Sequence, residues 1–553
     1  MNKMEWLNNL FSFSQTAPIL FTHPVFWVFL IIILTGFLFV YRNNRRRNIY
    51  LLLVSLFFYF KTSGVCLILL LFTSAGDFTW GRLIHRSESL AKKKFFLGMS
   101  IILNLALLCY FKYAYFFATS LSDITGESIH YVNHFALFTN TWFNTGFSVD
   151  KILLPVGVSF FVFQSLSYTI DIYRAKVEPV ANLGDYGFFV CFFPHLVAGP
   201  IVKAHDFIYQ LYKPYFVSRQ EFGLAVFWIV NGFGKKILAD YLALNFIDRV
   251  FENPMLYCGT EIIMAIFAYS MQIYMDFSGY TDMAIGLALI LGFRLGVNFN
   301  SPYKAESPSE FWKRWHISLS SWLQEYLYIP LGGNRSGGMG SYFSISILML
   351  FLVLITGNPA LLYVLIILGS IIAVLAYWLK GFRRHINTNI NLLVTMLLGG
   401  LWHGSSLLFL IWGGLNGVGL IAHKYWQKVS PFGGNTNWAI RFLLMFMTLS
   451  FISFTRIFFR SQDLQTVRQL LDGMVNNLHP ELLPKIVLGY WKIITLTGIC
   501  YTIHWLPGGI KSKYRNYFSE LSWPMMAIAA ASVILIVYQF MSSEMQPFIY
   551  FQF

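Results

Sequence analysis

The chain has 553 residues, of which 56% are hydrophobic and only 12% charged, with a mean hydropathy of +0.58. Soluble domains carry about 25% charged residues, so apolar runs near the roughly 20 residues that cross a bilayer define a polytopic α-helical membrane protein. The formal charge of +15 does not point to nucleic acid, because the cations cluster in short loops between apolar runs, where they act as topology signals. Many runs are too long for strands of an outer-membrane barrel.

In chain order, the first run (24–41) ends at "RNNRRR" (42–47). Those cations should stay in the cytosol, which places the N-terminus outside. Runs 49–60 and 65–84 predict a helical pair around the "KTSG" turn, returning to the basic "HRSESLAKKK" (85–94). Run 95–117 crosses outward into a polar loop expected over 120–150. Further apolar segments lie near 152–173, 184–201, 221–240, 259–293, 342–378, 389–424, 439–459, 486–506 and 524–541. Basic loops at 381–385 and 511–515 should be cytosolic, which puts the C-terminus outside. Run length predicts roughly eleven to thirteen spanning segments. One membrane domain is expected over 1–553, with no internal repeat. Five scattered cysteines (Cys66, Cys109, Cys191, Cys258, Cys500) show neither metal spacing nor a disulfide framework. No signal-peptide pattern is read at the N-terminus.

The segment "FWKRWHISLSSWLQEYLYIPLGGNR" (311–335) is too polar and too short for a span. Residues 315–329 would make a helix of about 22 Å. His316, Ser320 and Gln324 recur every four residues on one face, opposite a stripe of Trp315, Leu319, Trp322, Tyr326 and Ile329. Pro330 and the following glycines stop it. The reading is an amphipathic or re-entrant helix at the inner surface, with a cationic entrance at Lys313 and Arg314, lining a cavity.

Three more polar islands stand in apolar surroundings. "MDFSGYTDMAIG" holds Asp276 and Asp282, which lie about 240° apart on a helix and so form no carboxylate pair. Hydrogen bonding that fixes helix packing around Gly279 is one reading. A substrate-binding role for Asp276 is the other, because intramembrane carboxylates are expensive. "CFFPHLVAGPIVKAHDF" is broken by Pro194 and Pro200, and its His195 reads as a packing residue. "LLGGLWHGSSLLFLIWGGLNGVGL" (397–420) places His403 in an almost purely apolar helix among small residues that permit close backbone approach. A neutral imidazole there can serve as a general base, or pack against a backbone carbonyl.

Together with "LPVGVSFFVFQSLSYTIDIYR" (154–174) and the extension of the first island through "LALILGFRLGVNFNSPY", these segments resemble the membrane-bound O-acyltransferase (MBOAT) family. The likeness is closest to its bacterial branch, which includes the alginate O-acetyltransferase membrane subunit. It covers about residues 50–460, with five motifs in the family's order; 461–553 match only loosely. The resemblance implies a ring of helices around a funnel, with acyl donor entering from the cytosol and acceptor from outside. It carries the catalytic histidine of the apolar motif onto His403 and the second histidine onto His316. Pro194-His195 departs from the family's proline-glutamine.

With that resemblance, His403 is expected to take the acceptor hydroxyl's proton, and His316 to position the thioester or polarise its carbonyl. Ser320 and Gln324 share the face of His316, and Lys313, Arg314 and Arg335 are expected to hold the phosphates of coenzyme A. No resident cofactor or metal is expected; acetyl-CoA is the expected donor substrate. The family implies a bacterial inner-membrane location, a periplasmic or membrane-anchored serine-hydrolase-like partner, and a surface polysaccharide such as alginate as final acceptor. Acyl or D-alanyl transfer from a carrier protein to a teichoic-acid-type polymer is the alternative. A polysaccharide exporter would instead show paired half-repeats.

Overall fold

A computed structural model describes residues 21, 24–127, 131–143, 145–149, 154–196, 199–432 and 437–539. The regular structure among the described residues is all helical, without a strand. Helix α1 (Pro24–Phe37) leads to α2 (Asn44–Ser63) and α3 (Leu67–Arg86), joined by one tight turn over Gly64–Cys66. Gly64 takes φ +57°, the left-handed region that glycine enters without penalty. Asn48 on α2 bonds Asp185 Oδ1 at 3.4 Å, and Arg82 on α3 donates to the carbonyl of Ala181. Both legs therefore return to the 181–185 stretch, where the helix Leu183–Cys191 begins, as the pair expected around "KTSG". Part of "RNNRRR" is buried: the Arg47 guanidinium donates to the carbonyls of Leu211 (2.9 Å) and Lys213 (3.0 Å).

Helix α4 (Leu90–Leu108) continues through a wide turn (Cys109–Tyr113) into Ala114–Thr125. A further helix, His134–Phe143, occupies much of the stretch 120–150 expected as a loop. That stretch is rich in aromatic and apolar residues as well as polar ones; Ala136 is buried and Phe135 packs edge-on to Phe111 at 5.4 Å. Residues 128–130, 144 and 150 of it lie outside the described residues.

Six helical stretches among the described residues are long and apolar enough to span, or seven if the pair bent by 88° at Tyr490 counts as one. This is fewer than run length predicts. One of the six (Asn44–Arg86) doubles back at Gly64, and Val25–Phe37, Met339–Leu350 and Trp523–Ile536 are shorter apolar helices. Run length counts such pieces as spans. It cannot see where a helix stops or where the chain turns back.

The centre is a tightly packed helix pair, α6 (Arg219–Leu242) and α7 (Gly259–Ile290), reached after α5 (Val158–Tyr173). The start of α6 is fixed by a capping box, in which Ser218 and Glu221 bond each other's backbone N–H groups at 3.2 and 2.9 Å. Glycines let the two backbones touch. A Cβ on Gly279 would stand 2.7 Å from the Gly232 carbonyl, and one on Gly286 2.6 Å from that of Ala225. The two aspartates of α7 each meet a lysine on α6. Asp276 pairs with Lys236 at 2.6 Å, and Lys236 also holds Asp240 at 2.7 Å. Asp282 pairs with Lys235 at 2.6 Å and accepts from Asn231 at 2.8 Å. Gly279→Val should destabilise the protein by about 2–3 kcal/mol through overpacking. Thermal melting in detergent checks this, and an unchanged melting temperature would show that the pair is looser than described.

Candidate active site

The polar 311–335 segment is built differently from the single helix its periodicity suggests. Ser307 caps a short helix, α8 (Pro308–Arg314), and accepts from Glu310 N at 3.2 Å. The chain then breaks. His316 takes φ +44°, a left-handed conformation rare for a side chain of this size. A second helix, α9 (Ile317–Leu323), follows, with a wide turn over Gln324–Tyr328. The cause lies 18 residues upstream. Asn298 Oδ1 accepts from Ser318 N (3.0 Å), Ser318 Oγ (2.9 Å) and His316 Nδ1 (3.2 Å), while its backbone carbonyl accepts from Ile317 N at 2.9 Å. These bonds take up the orphan N–H groups at the start of α9 and hold the chain out of helix at His316.

His316 therefore shares no helical face with Ser320 and Gln324, and it does not sit at a surface mouth. It is fully buried, with its ring edge-on to Phe277 at 4.7 Å. Because Asn298 Oδ1 also receives a backbone N–H, it must act as acceptor toward the imidazole. Nδ1 of a neutral His316 then carries the proton and Nε2 is the acceptor nitrogen.

His403 is the last residue of α10 (Lys380–His403), which turns through Gly404, Ser405 and Ser406 into α11 (Leu407–Val429). The apolar motif is thus a hairpin with His403 at its tip, and the expectation of a helix running through His403 is corrected. Gly404 is extended (φ −163°, ψ 156°), and a Cβ there would collide with the Phe409 ring. The legs touch backbone to backbone: a Cβ on Gly400 would run into the Phe409 carbonyl, and one on Gly413 into the Met396 carbonyl. Lys112, which the sequence analysis does not single out, donates to the carbonyls of Trp402 and His403 (the latter at 3.1 Å), and Tyr113 to that of Leu401 at 2.5 Å. A cation at a helix C-terminus is favourable there.

The hairpin tip and the His316 turn meet, with imidazole centroids 6.4 Å apart. Beside His403 opens a small pocket, lined by Trp312, Trp315, Trp412, Asn416, Thr455 and Arg456 among others. Arg456, on α12 (Trp438–Arg460), lies over the Trp315 ring at 4.5 Å and donates to Tyr303 Oη and the Ser270 carbonyl.

The other expected binding residues are not gathered here. Asp276 is in the α6–α7 ion pairs. Arg314 is engaged by Glu310 (2.7 Å) and the Asn300 carbonyl (3.2 Å). Ser320 Oγ donates to the Trp315 carbonyl at 3.3 Å; Lys313, Gln324 and Arg335 are exposed. Helical spacing groups side chains that the break at His316 sends in different directions. His195 is buried and bonds the Phe189 carbonyl at 3.0 Å.

A second polar cluster draws on three separate motifs, and no local pattern in the sequence announces it. Asp171 Oδ2 accepts from Tyr326 Oη and pairs with His205 Nδ1, both at 2.8 Å. Lys176 and Lys203 each hold one oxygen of Glu325, Lys203 at 2.8 Å, and Arg174 reaches the Glu325 carbonyl at 3.3 Å. Donor atoms of Asp171, His205 and Glu325 lie within 4.8 Å of one another, yet the two ammonium groups on Glu325 oppose a cation there. This cluster shares an end of the bundle with the buried Arg47, since Lys203 precedes the 208–213 turn whose carbonyls Arg47 binds. At the far end of α5, the Ser159 carbonyl accepts from Trp402 Nε1 at 3.3 Å. Twelve residues of α5 thus separate the clusters by about 18 Å. Between them Phe163 stacks on Trp322 at 3.8 Å and on Trp402 at 5.5 Å.

Burial raises the Glu325 pKa, but the hydrogen bonds from Lys176 and Lys203 outweigh it and hold the carboxyl at about 2. A depressed carboxylate stabilises the fold above its unfolded pKa and loses that contribution as pH falls toward its folded value. The melting-temperature gap between the native protein and Glu325→Gln should hold constant from pH 7 to 5 and shrink only below about pH 4.5. A gap already closing between pH 7 and 5 would contradict the paired geometry.

Residues 91–354 match the sequence profile of MBOAT, the membrane-bound O-acyltransferase family. The chain is 32% identical over 493 residues to the "Probable alginate O-acetylase" of Pseudomonas putida, covering 84% of this chain and 85% of that protein. It is 30% identical over 418 residues to the peptidoglycan O-acetyltransferase of Helicobacter pylori (71% and 67% covered). With the teichoic acid D-alanyltransferase of Bacillus subtilis it shares 24% over 281 residues (49% and 60%). The helical membrane architecture and these likenesses agree: the chain belongs to the membrane-bound O-acyltransferase family and is an O-acyltransferase.

Proposed function

We propose that the protein takes an acetyl group from acetyl-CoA at the end of the bundle carrying Lys176 and Lys203 and delivers it to a hydroxyl at the His403 pocket. Through a partner protein on the outer side, that acetyl group would reach a surface polysaccharide of the alginate kind. The observation that carries this reading is the buried meeting of His316 and His403 beside a pocket, about 18 Å along α5 from a lysine-rich cluster. Phosphates stay with the cations, and the thioester arm lies along the Phe163, Trp322 and Trp402 rings. The O-acetylases of P. putida and H. pylori favour acetyl as the group moved. D-alanyl transfer from a carrier protein is the second reading, supported by the B. subtilis likeness.

In the reaction the acceptor oxygen attacks the thioester carbonyl while His403 takes its proton, a step typically worth about 10²–10⁴ in rate. Collapse of the intermediate breaks the C–S bond, and the proton passes from His403 to the departing thiolate. His316, with Nδ1–H committed to Asn298, has no Nε2 proton to offer a carbonyl. The proposed role is positioning: Nε2 accepts from an amide N–H of the donor arm. This replaces the expectation that His316 polarises the carbonyl.

His403→Ala should abolish acetyl transfer from labelled acetyl-CoA in membranes while the protein still inserts; near-normal turnover would sink the reading. His316→Ala should cripple activity, whereas His316→Asn, which can still accept a hydrogen bond, should retain part of it with an unshifted pH profile. If Asn is as inactive as Ala, His316 moves a proton instead. Externally added acetyl-CoA should support transfer in inverted vesicles and not in sealed right-side-out ones. Equal activity in both would overturn the sidedness.

A further inference from the structure

Acyl transfer at this site leaves one charge unassigned. As the acceptor oxygen adds to the thioester carbonyl, the C=O π pair moves onto oxygen, and a buried site must hold that oxyanion with a donor already in place. His316 is excluded by its tautomer. Around the pocket that opens on His403, several donor atoms already have protein acceptors. Asn416 Nδ2 donates to the Trp412 carbonyl at 2.8 Å, Thr455 Oγ1 to the Ile452 carbonyl at 2.9 Å, and Arg456 Nη1 to Ser270 and Tyr303.

Trp312 differs. It lines this pocket, and its Nε1 is buried with no acceptor among the described residues. A buried donor left unpaired calls for an explanation, and a transient acceptor supplies one. The ring is held by local structure: α8 is pinned by the Ser307 cap, and Trp312 packs edge-to-face on Trp412 at 5.8 Å. Trp412 in turn meets the His403 imidazole at 5.1 Å, so one indole bridges the orphan donor and the base.

We propose that the indole N–H of Trp312 donates to the oxyanion of the tetrahedral intermediate, a role that rests on the acyl-transfer reading above. The O–C bond forms, the carbonyl pair moves to the oxygen facing Nε1, and the hydroxyl proton goes to His403. When the C–S bond breaks, the pair returns to the carbonyl and the thiolate leaves with the proton from His403.

The test replaces Trp312 with β-(3-benzothienyl)alanine, which keeps the fused ring but carries sulfur in place of N–H, alongside Trp312→Phe and His403→Ala. Steady-state transfer from acetyl-CoA is measured in proteoliposomes and thermal melting in detergent. The benzothienyl variant should lose about 100-fold in kcat, with KM for acetyl-CoA within about twofold of native and an unchanged melting temperature. Unchanged kcat, a raised KM at full kcat, or a kcat loss matched by a lowered melting temperature while Trp312→Phe turns over normally would each overturn the role. His403→Ala separates the two claims. If it is inactive while the Trp312 variants are normal, only the oxyanion assignment falls; if it is active, the transfer reading itself falls.

Discussion

The side-chain carbonyl of Asn298 accepts from three donors on the 316–318 turn, and the geometry of the site follows from those bonds. They hold His316 left-handed, split what would be one amphipathic helix into α8 and α9, and decide which imidazole nitrogen carries a proton. The split aims three tryptophans in two directions. Trp312 and Trp315 line the pocket from α8 and the break, while Trp322 on α9 stacks on Phe163 toward the lysine-rich end. A bilayer tolerates such irregular backbone only where protein encloses it, and here α7, the α10–α11 hairpin and α12 supply the enclosure.

That enclosure depends on close helix approach. Glycines at 232, 279 and 286 let α6 and α7 touch backbone to backbone, and 400 and 413 do the same for α10 and α11. Close approach brings Lys235 onto Asp282 and Lys236 onto Asp276, with Asp240 also held by Lys236. Breaking such a pair leaves a charge without compensation, which is costly. The same close packing carries the tip of the α10–α11 hairpin, and His403 with it, to the 316 turn. Scaffold and site are therefore set by one kind of contact.

Much of this is legible in the sequence, for identifiable reasons. Low charge and long apolar runs give the membrane class, and the "KTSG" turn gives the α2–α3 pair. The glycine-rich run around His403 signals close approach, although the apolar residues flanking "HGSS" mask its turn chemistry and make a hairpin tip look like continuous helix. Helical angle separates Asp276 from Asp282 correctly. Their lysine partners, about 40 residues away in sequence, are invisible to local reading. Long-range pairing explains the other misses. Periodicity over 315–329 cannot register Asn298, and no single motif contains Asp171, Lys203, His205 and Glu325 together. Lys112 lies inside the apolar run 95–117, where nothing local marks the helix end it meets.

The central claim is that the donor's reactive carbonyl reaches the pocket shared by His403 and Trp312 while its phosphates stay at the Lys176–Lys203 end. A structure of the protein bound to acetonyl-coenzyme A, in which a methylene separates the sulfur from the carbonyl, tests it directly. The account predicts the carbonyl carbon within about 4 Å of the His403 ring, its oxygen about 3 Å from Trp312 Nε1, and the phosphates beside Lys176 and Lys203. An acetonyl group more than about 10 Å from His403, or phosphates at the opposite end of α5, would contradict it.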